Sequence, residues 1–356
     1  METTTYKLKD VLKIGNGKDH SSLPDGEYPV LGSGGIMRYA NRYLYDGESV
    51  LLPRKGTLNN IQYIKGKFWT VDTCYYTIIN QDITHPYYLY RLLRTFDLSG
   101  LDSGASIPSM TSKTYYGIKV QLPPLPTQQK IASILSAYDN LIQNYKKQIE
   151  ALQTAASELY KEWFVRFRFP GWQNAKFENG IPEGWKVVLA SELGEFVRGK
   201  NITAEEMQEG MIPVISAGIE PSGFHNQSNV KGVSLTISNS GANAGYLQIN
   251  YSNIWAADCS YCNSAKHIYF YYELLNNMRV VLFNLQKGAA QPHVYAKDIN
   301  KMKILLPSTE LIGTANKKIK LMHEKIYSLQ QQITNLTQQR DLLLPRLMSG
   351  KLEVDI

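Results

Sequence analysis

The sequence predicts an α+β chain: two similar globular domains separated by a pair of long antiparallel coiled-coil helices, with a pseudo-twofold internal repeat. Three observations lead there. Two long segments carry apolar residues at alternating steps of four and three. The same short blocks recur about 184 residues apart. Between the helical segments the apolar runs are short, β-branched or aromatic, and bounded by Gly, Asn, Asp and Pro. At 356 residues the chain is too long for one typical core.

The first globular domain is placed at 1–126. Its runs "ESVLLP" and "CYYTII" read as strands and "YYLYRLLRTF" as a short helix. A long spacer helix follows at 127–166, with the apolar series Ile131, Leu135, Tyr138, Ile142, Tyr145, Ile149, Leu152, Ala156, Leu159 and Trp163. That is a heptad seam held for more than four heptads. Thr127 after "LPPLP" is its candidate N-cap, because a hydroxyl oxygen accepts a free first-turn N–H. A linker punctuated by Pro and Gly occupies 167–185. The second domain is placed at 186–308, with "VSLTIS" and "KHIYFYY" read as strands and "LLNNMRVVLFNL" as a helix. The second spacer helix, 309–346, is capped by Ser308 or Thr309. It carries Ile312, Ala315, Ile319, Met322, Ile326, Leu329, Ile333, Leu336, Arg340, Leu343 and Leu347, with Arg340 a charged break. Pro345 is predicted to end or kink it near Leu344, leaving a tail at 347–356. Each helix is about 35 residues, roughly 50 Å at 1.5 Å per residue.

The two seams share a register: Leu135, Ile142, Ile149, Leu152 and Leu159 shifted by 184 give Ile319, Ile326, Ile333, Leu336 and Leu343. A shared period calls for a search of the whole chain. "YPVLGSGG" (28–35) answers "IPVISAGI" (212–219). "FWTVDTCYY" (68–76) answers "IWAADCSYC" (254–262), and "GASIPSMTSK" (104–113) answers "GAAQPHVYAK" (288–297). Helix one runs from the first domain to the second, so the second helix packs its seam on the first in antiparallel fashion.

Composition narrows the function classes. No apolar run is long enough for a membrane span, and "METTTYKLKD" lacks a signal-peptide core. Three cysteines, an odd number, argue for a reducing compartment and a cytoplasmic protein. A net charge of +7 permits an acidic partner. Catalytic motifs are missing. "GNGKDH" and "GSGGIM" have the wrong spacing for a phosphate-cradling loop. "PPLPT" is not an Asn/Asp-Pro-Pro-aromatic methyltransferase motif, and "PDGEY" and "PEGWK" are faint next to a nuclease carboxylate cluster. Cys259 and Cys262 form a C-x-x-C without a second tight pair, so small core side chains are favoured over a zinc site. The expectation is a chain with no catalytic residues, no metal and no cofactor of its own.

The blocks "LPPLPTQQKIASILSAYDNLI" (122–142), "LYKEWFVRFRFPG" (159–171) and "IPEGWKVVLASELGEFVRGK" (181–200), in this order around two long helices, resemble the specificity subunits of type I restriction–modification systems over nearly the whole chain. The second copy departs from the pattern at "LLPSTELIGTANKKI", which lacks the Pro- and Gln-rich start. The resemblance implies two target recognition domains, each reading one half of a split site in double-stranded DNA. It implies spacer helices that set the unread gap and dock two modification (methyltransferase) subunits, and separate restriction (motor–nuclease) subunits. S-adenosylmethionine, ATP and Mg would then act only on those partners. Two other readings remain open from the residues: a related system with a fused modification–cleavage partner, and a coiled-coil scaffold with two ligand-binding heads and no nucleic acid.

Base reading needs donor–acceptor side chains on loops, and phosphate contact needs Lys, Arg, Ser, Thr and backbone N–H groups. The candidates are Ser33, Arg38, Arg54, Lys55, Ser109, Thr111 and Lys113 in the first domain. In the second they are Ser216, His225, Asn226, Asn239, Asn243, Gln291, His293 and Lys297. The repeated loops after the "PV" strand, at "PRKG"/"SNSG" and at "SIPSM"/"AQPHV", form the predicted reading surface. Residues 1–125 carry a net charge of +3 and residues 171–308 a net charge of zero, so the second domain has to rely on local basic residues or neutral hydrogen bonds.

Overall fold

The structure, a computed structural model, describes residues 2–101, 108–288 and 291–354. Residues 104–107 of "GASIPSMTSK", Ala289 and Ala290 of "GAAQPHVYAK", and the last two residues of the predicted tail lie outside the described residues.

In chain order the elements of the first half are β1 (Thr4–Lys7), α1 (Leu8–Val11), β2 (Leu12–Asn16), β3 (Asp25–Gly32), β4 (Gly35–Ala40), β5 (Tyr45–Pro53), β6 (Gln62–Thr70), β7 (Cys74–Ile79), α2 (Pro86–Leu93), α3 (Ser112–Gly117), β8 (Lys119–Leu122) and the long α4 (Leu125–Tyr160). Short strands follow: β9 (Phe177–Glu178), β10 (Ile181–Pro182), β11 (Lys186–Leu189), β12 (Val197–Arg198), β13 (Ile212–Ile215), β14 (Gly223–His225), β15 (Ser234–Ser238), β16 (Leu247–Asn250), β17 (Trp255–Ala256) and β18 (Cys259–Cys262). The chain closes with α5 (Ile268–Asn277), α6 (Arg279–Asn284), α7 (Ala296–Asn300), β19 (Lys303–Leu306) and α8 (Thr309–Met348). No helix among the described residues is long and apolar enough to cross a membrane.

The chain divides into two units, Met1–Asn144 with Ile333–Ile356, and Tyr145–Gln332. Unit 1 holds a six-stranded sheet in the order β2-β7-β5-β6-β3-β4. Its first and last strands, β1 and β8, pair separately and antiparallel. Its core joins Leu8, Leu52, Tyr88, Leu89, Leu93 and Tyr115 to Ile131, Ala132 and Leu135 of α4 and to Leu347 of α8. Helix α2 starts at Pro86, whose missing N–H costs nothing in a first turn, and buries nearly its whole circumference, Arg91 included.

Unit 2 holds a four-stranded sheet, β12-β18-β15-β16, and a three-stranded one, β14-β13-β17. Its strands β11 and β19 pair antiparallel. The main core joins Phe196, Phe270, Tyr271 and Leu275 to Ala156, Tyr160, Trp163 and Phe164 from the first long helix and its π-helical extension (Lys161–Val165), and to Ile312, Ala315 and Ile319 of α8.

Several details recur in both units. A parallel contact links Val30 to Trp69 in unit 1 and Val214 to Trp255 in unit 2. The indole of Trp69 donates to the Lys18 carbonyl at 2.9 Å, and that of Trp255 donates to the Lys200 carbonyl at 2.8 Å. The ladders pair Pro53 with Cys74 and Ser238 with Cys259. Cys74 therefore corresponds to Cys259. The sequence blocks "DTCYY" and "DCSYC", aligned from their tryptophans, run one residue out of step here, because the turn before β18 is one residue shorter.

Both helical seams are buried or half-buried at every position named from the periodicity, while Leu321 and Leu342, off the seam, are exposed. Four expectations need correction. Helix α4 begins at Leu125, with the Gln128 N–H donating to the Pro124 carbonyl, so Thr127 lies inside the helix and is no cap. Ser308 does cap α8, its Oγ accepting from the Leu311 N–H at 3.3 Å. Pro345 lies within α8, and the helix continues to Met348 because Pro345 removes only one N–H donor while its carbonyl accepts from Ser349 at 3.1 Å. "KHIYFYY" leads into helix α5 instead of a strand: Tyr269, Phe270, Tyr271, Leu274 and Leu275 are buried at helical spacing, and that packing outweighs aromatic β-propensity. The single helix predicted over "LLNNMRVVLFNL" breaks at Met278 into α5 and α6.

Candidate nucleic-acid interface

In unit 1 the predicted loops come together around the β6–β7 turn. The N–H groups of Arg54 and Lys55 donate to the Thr73 carbonyl at 2.8 and 3.3 Å. Gly56 donates to the Pro108 carbonyl at 2.9 Å, Met110 donates to the Arg54 carbonyl at 3.0 Å, and Lys55 forms a β-bridge with Ser109. The β3–β4 turn joins them: the Asn60 amide donates to the Ser33 carbonyl at 2.6 Å and the Gln62 amide to the Gly32 carbonyl at 2.9 Å. Thr111 Oγ1 accepts from the Thr114 N–H at 3.2 Å and caps α3, with exposed Lys113 in its first turn. The Arg54 guanidinium lies over the Tyr75 ring, 5.9 Å from its centroid. Lys55 is exposed.

Unit 2 repeats this construction. Asn239 donates to the Asp258 carbonyl at 3.3 Å, Gly241 to the Pro292 carbonyl at 3.1 Å, and Val294 to the Asn239 carbonyl at 2.9 Å. These match the bonds of Arg54, Gly56 and Met110 one for one. Ser240 and His293 form the corresponding bridge. The Ser238 hydroxyl donates to the Ala217 carbonyl at 2.9 Å, which ties in the loop of Ser216. Beyond the bridge, His293 stacks on Tyr295 with ring centroids 6.0 Å apart, and the Lys297 ammonium sits 5.7 Å from the Tyr295 centroid. Gln291 is exposed, and Asn243 is half-buried in the turn after Gly241.

Not every candidate joins these surfaces. Arg38 pairs with Val30 midway along the β3–β4 hairpin, and its guanidinium donates to the Leu23 carbonyl and to Asp25, which draws it away from Ser33. His225 pairs with Ile212 at the open end of β13–β14; it is buried, with Nδ1 accepting from the Gln208 N–H at 3.0 Å. Asn226, exposed beside it, donates to the Gln208 side chain at 2.9 Å. Asn239 is in the right loop but buried, its Oδ1 accepting from Ser260 at 2.7 Å, so it holds the loop's shape. The residues that sequence reading missed are the organisers Thr73, Asp258, Asn60 and Gln62. For Thr73 and Asp258 the signal lay in the repeated Asp-bearing block after each tryptophan.

The C-x-x-C is resolved by strand geometry. Cys259 and Cys262 are three apart on β18, so they face opposite sides; one belongs to a small core with Ile215 and Ala256, the other to the main core of unit 2. They cannot share one ion. Burial pushes the thiols of Cys74 and Cys259 up to about 12, which keeps them protonated and unreactive near neutrality.

Comparison with known proteins gives this construction a family. The family described as "Type I restriction modification DNA specificity domain" matches residues 1–154 and 182–342. The type I restriction enzyme MjaIX specificity subunit of Methanocaldococcus jannaschii is 25% identical over 405 aligned positions, covering 98% of this chain and 93% of that protein. The MjaVIII specificity subunit of the same organism is 37% identical over 129 positions, covering 36% of this chain and 30% of that protein. The crystal structure of a type I restriction–modification system S subunit from M. genitalium shares the fold with a TM-score of 0.71, at 17% identity and over 97% of this chain and 96% of that one. The chain belongs to the type I restriction–modification DNA specificity family.

Proposed function

We propose that this chain is the noncatalytic DNA-reading subunit of a type I complex, and that its two units are copies of one reading module. The observation that carries this is the set of three backbone hydrogen bonds, Arg54, Gly56 and Met110 matched by Asn239, Gly241 and Val294, which assembles the same three loops twice. Identical scaffolding under differing loop residues suits two readers of differing sequence. The modules are 1–126 and 186–308, with 127–166 and 309–346 as the spacer helices, 167–185 the linker and 347–356 the tail. The helices pair antiparallel about a pseudo-twofold axis, set the unread gap, and dock two modification subunits. Their contact order supports this: the first half of α4 meets the end of α8 in unit 1, and its last part meets the start of α8 in unit 2.

Within each surface, Ser33, Arg54, Lys55, Ser109, Thr111 and Lys113, and Ser216, Asn243, Gln291, His293 and Lys297, are the proposed DNA contacts. Lys and Arg neutralise phosphates, and the amides and hydroxyls read base edges. Methyl transfer, ATP use and cleavage, with S-adenosylmethionine, ATP and Mg, belong to the modification and restriction subunits, and the assembly works in the cytoplasm. Methylation profiling of a host expressing the complex tests the reading. A two-part adenine-methylated motif with a fixed gap supports it; a continuous motif, or turnover by the purified chain alone, refutes it.

A further inference from the structure

We propose that the β3–β4 hairpin of unit 1 reads thymine by its C5-methyl group, with Ile36 and Met37 as the contacting side chains. The proposal rests on the reading of the unit 1 loops as a DNA surface, and it names a base for one part of that surface.

Ile36 and Met37 are 56% and 60% exposed, at the start of the edge strand β4, directly after the turn at Ser33 and Gly34. Adjacent apolar side chains this open need an apolar partner to gain anything from water exclusion. They adjoin the converging loops. A Cβ placed on Gly32 would lie 2.9 Å from Met37 Sδ, 3.4 Å from Val71 Cγ2 and 3.5 Å from Thr73 Oγ1. Met37 therefore lies against Gly32 close to Thr73, the residue whose carbonyl holds Arg54 and Lys55. On the other side of the turn, a Cβ on Gly56 would lie 3.4 Å from Ser33 Oγ. The turn itself is open, since a Cβ on Gly34 or Gly35 would meet nothing within 4 Å.

Strand β3 is held between β6 and β4 at this end, so what can reach a groove is the open turn and the first residues of the edge strand β4. Of the four bases only thymine presents a methyl group in the major groove, and a turn carrying two open apolar side chains, beside an exposed Lys55 suited to a phosphate, matches that edge. At the aligned positions of unit 2, Glu220 and Pro221 follow "ISAGI", and the paired ribbon resumes only at Gly223.

The test uses the assembled complex with its modification subunits. The half-site read by unit 1 is the one that persists when residues 186–308 are replaced by another recognition domain. Duplexes are then made with deoxyuridine for thymine in that half alone, and binding is measured at fixed salt. The expected result is a loss of about fourfold per contacted methyl, the factor carried by one buried methyl-sized group. The variant carrying Ile36→Ser and Met37→Ser should bind thymine and uracil DNA equally. Because the uracil measurement is made on the unaltered protein, it does not depend on the variant folding. A half-site without an A·T pair, equal binding of both DNAs by the unaltered complex, or a variant that keeps the discrimination would overturn the proposal. Absence of any two-part motif would instead sink the underlying reading.

Discussion

Arg340 breaks the apolar series of α8, and its partner explains the break. Asp139 of α4 accepts from Arg340 at 2.7 Å, from the buried Arg91 of α2 and from the Tyr87 hydroxyl. The corresponding place in unit 2 puts the acid on the short helix and a histidine on the long one. Glu273 of α5 stands where Arg91 stands and His323 of α8 where Asp139 stands, with His323 Nε2 3.1 Å from Glu273 and Nδ1 2.8 Å from the Tyr251 hydroxyl. The seam register was legible in the sequence, and the partners were not, because each pairing joins residues 48 or more positions apart. Burial alone would raise the Asp139 carboxyl, but the Tyr87 and Arg340 hydrogen bonds and the Arg91 charge hold it below the usual carboxylate range. A carboxylate with a lowered pKa stabilises the fold above its unfolded pKa and loses that contribution as pH falls through the folded value. Asp139→Asn should therefore cost about 3 kcal/mol at neutral pH, as breaking a buried pair does. It should also flatten the loss of stability below about pH 4, which denaturant titrations across pH would record. A double-mutant cycle tests unit 2: Glu273→Arg should lower the Tm of the purified chain, and adding His323→Asp should recover more than half of the loss.

At the scale of elements, the long helices and most strands were legible because period and punctuation agree. The exceptions have physical causes already visible: packing made α5 from an aromatic run, and a helix tolerated Pro345 near its end. The convergence of the loops proposed to read DNA was legible as places and less so as residues. Arg38, His225 and Asn226 share loop chemistry with the others, but the Arg38 guanidinium is drawn back to Leu23 and Asp25, and the β13–β14 register puts His225 and Asn226 at the open end. Gly56 tests the loop scaffold. Its φ of +88° lies in the left-handed region, so a side chain there strains the backbone, while its Cβ would meet Ser33 Oγ only at ordinary contact distance. Gly56→Ala should cost about 1 kcal/mol of stability and weaken binding to the unit 1 half-site, measured by titration with duplexes altered in one half at a time. The helices test the gap. Four residues inserted after Ile142 add about 6 Å and turn the following chain by roughly 40° beyond one full turn. B-DNA rises about 3.4 Å per base pair, and the insertion relaxes the supercoil without abolishing packing. The complex should keep both half-sites and prefer a gap about one base pair longer. An active variant with an unchanged gap would leave the helices as docking surfaces only.

For the molecule as a whole, the recurring blocks and seams were legible because they keep one period, and the matching bonds of the two units run with a one-residue shift between Trp255 and Cys259. The bases read are not legible, because they depend on how Lys55, Ser109, His293 and their neighbours meet a groove, and no period or propensity encodes that. Under the proposed function, two modules read two halves independently. Its most direct test is to replace residues 186–308 with another recognition domain of the family and profile methylation in the host. Independent reading gives a motif with one half changed, the other half intact and the gap preserved. A change in both halves together would contradict it.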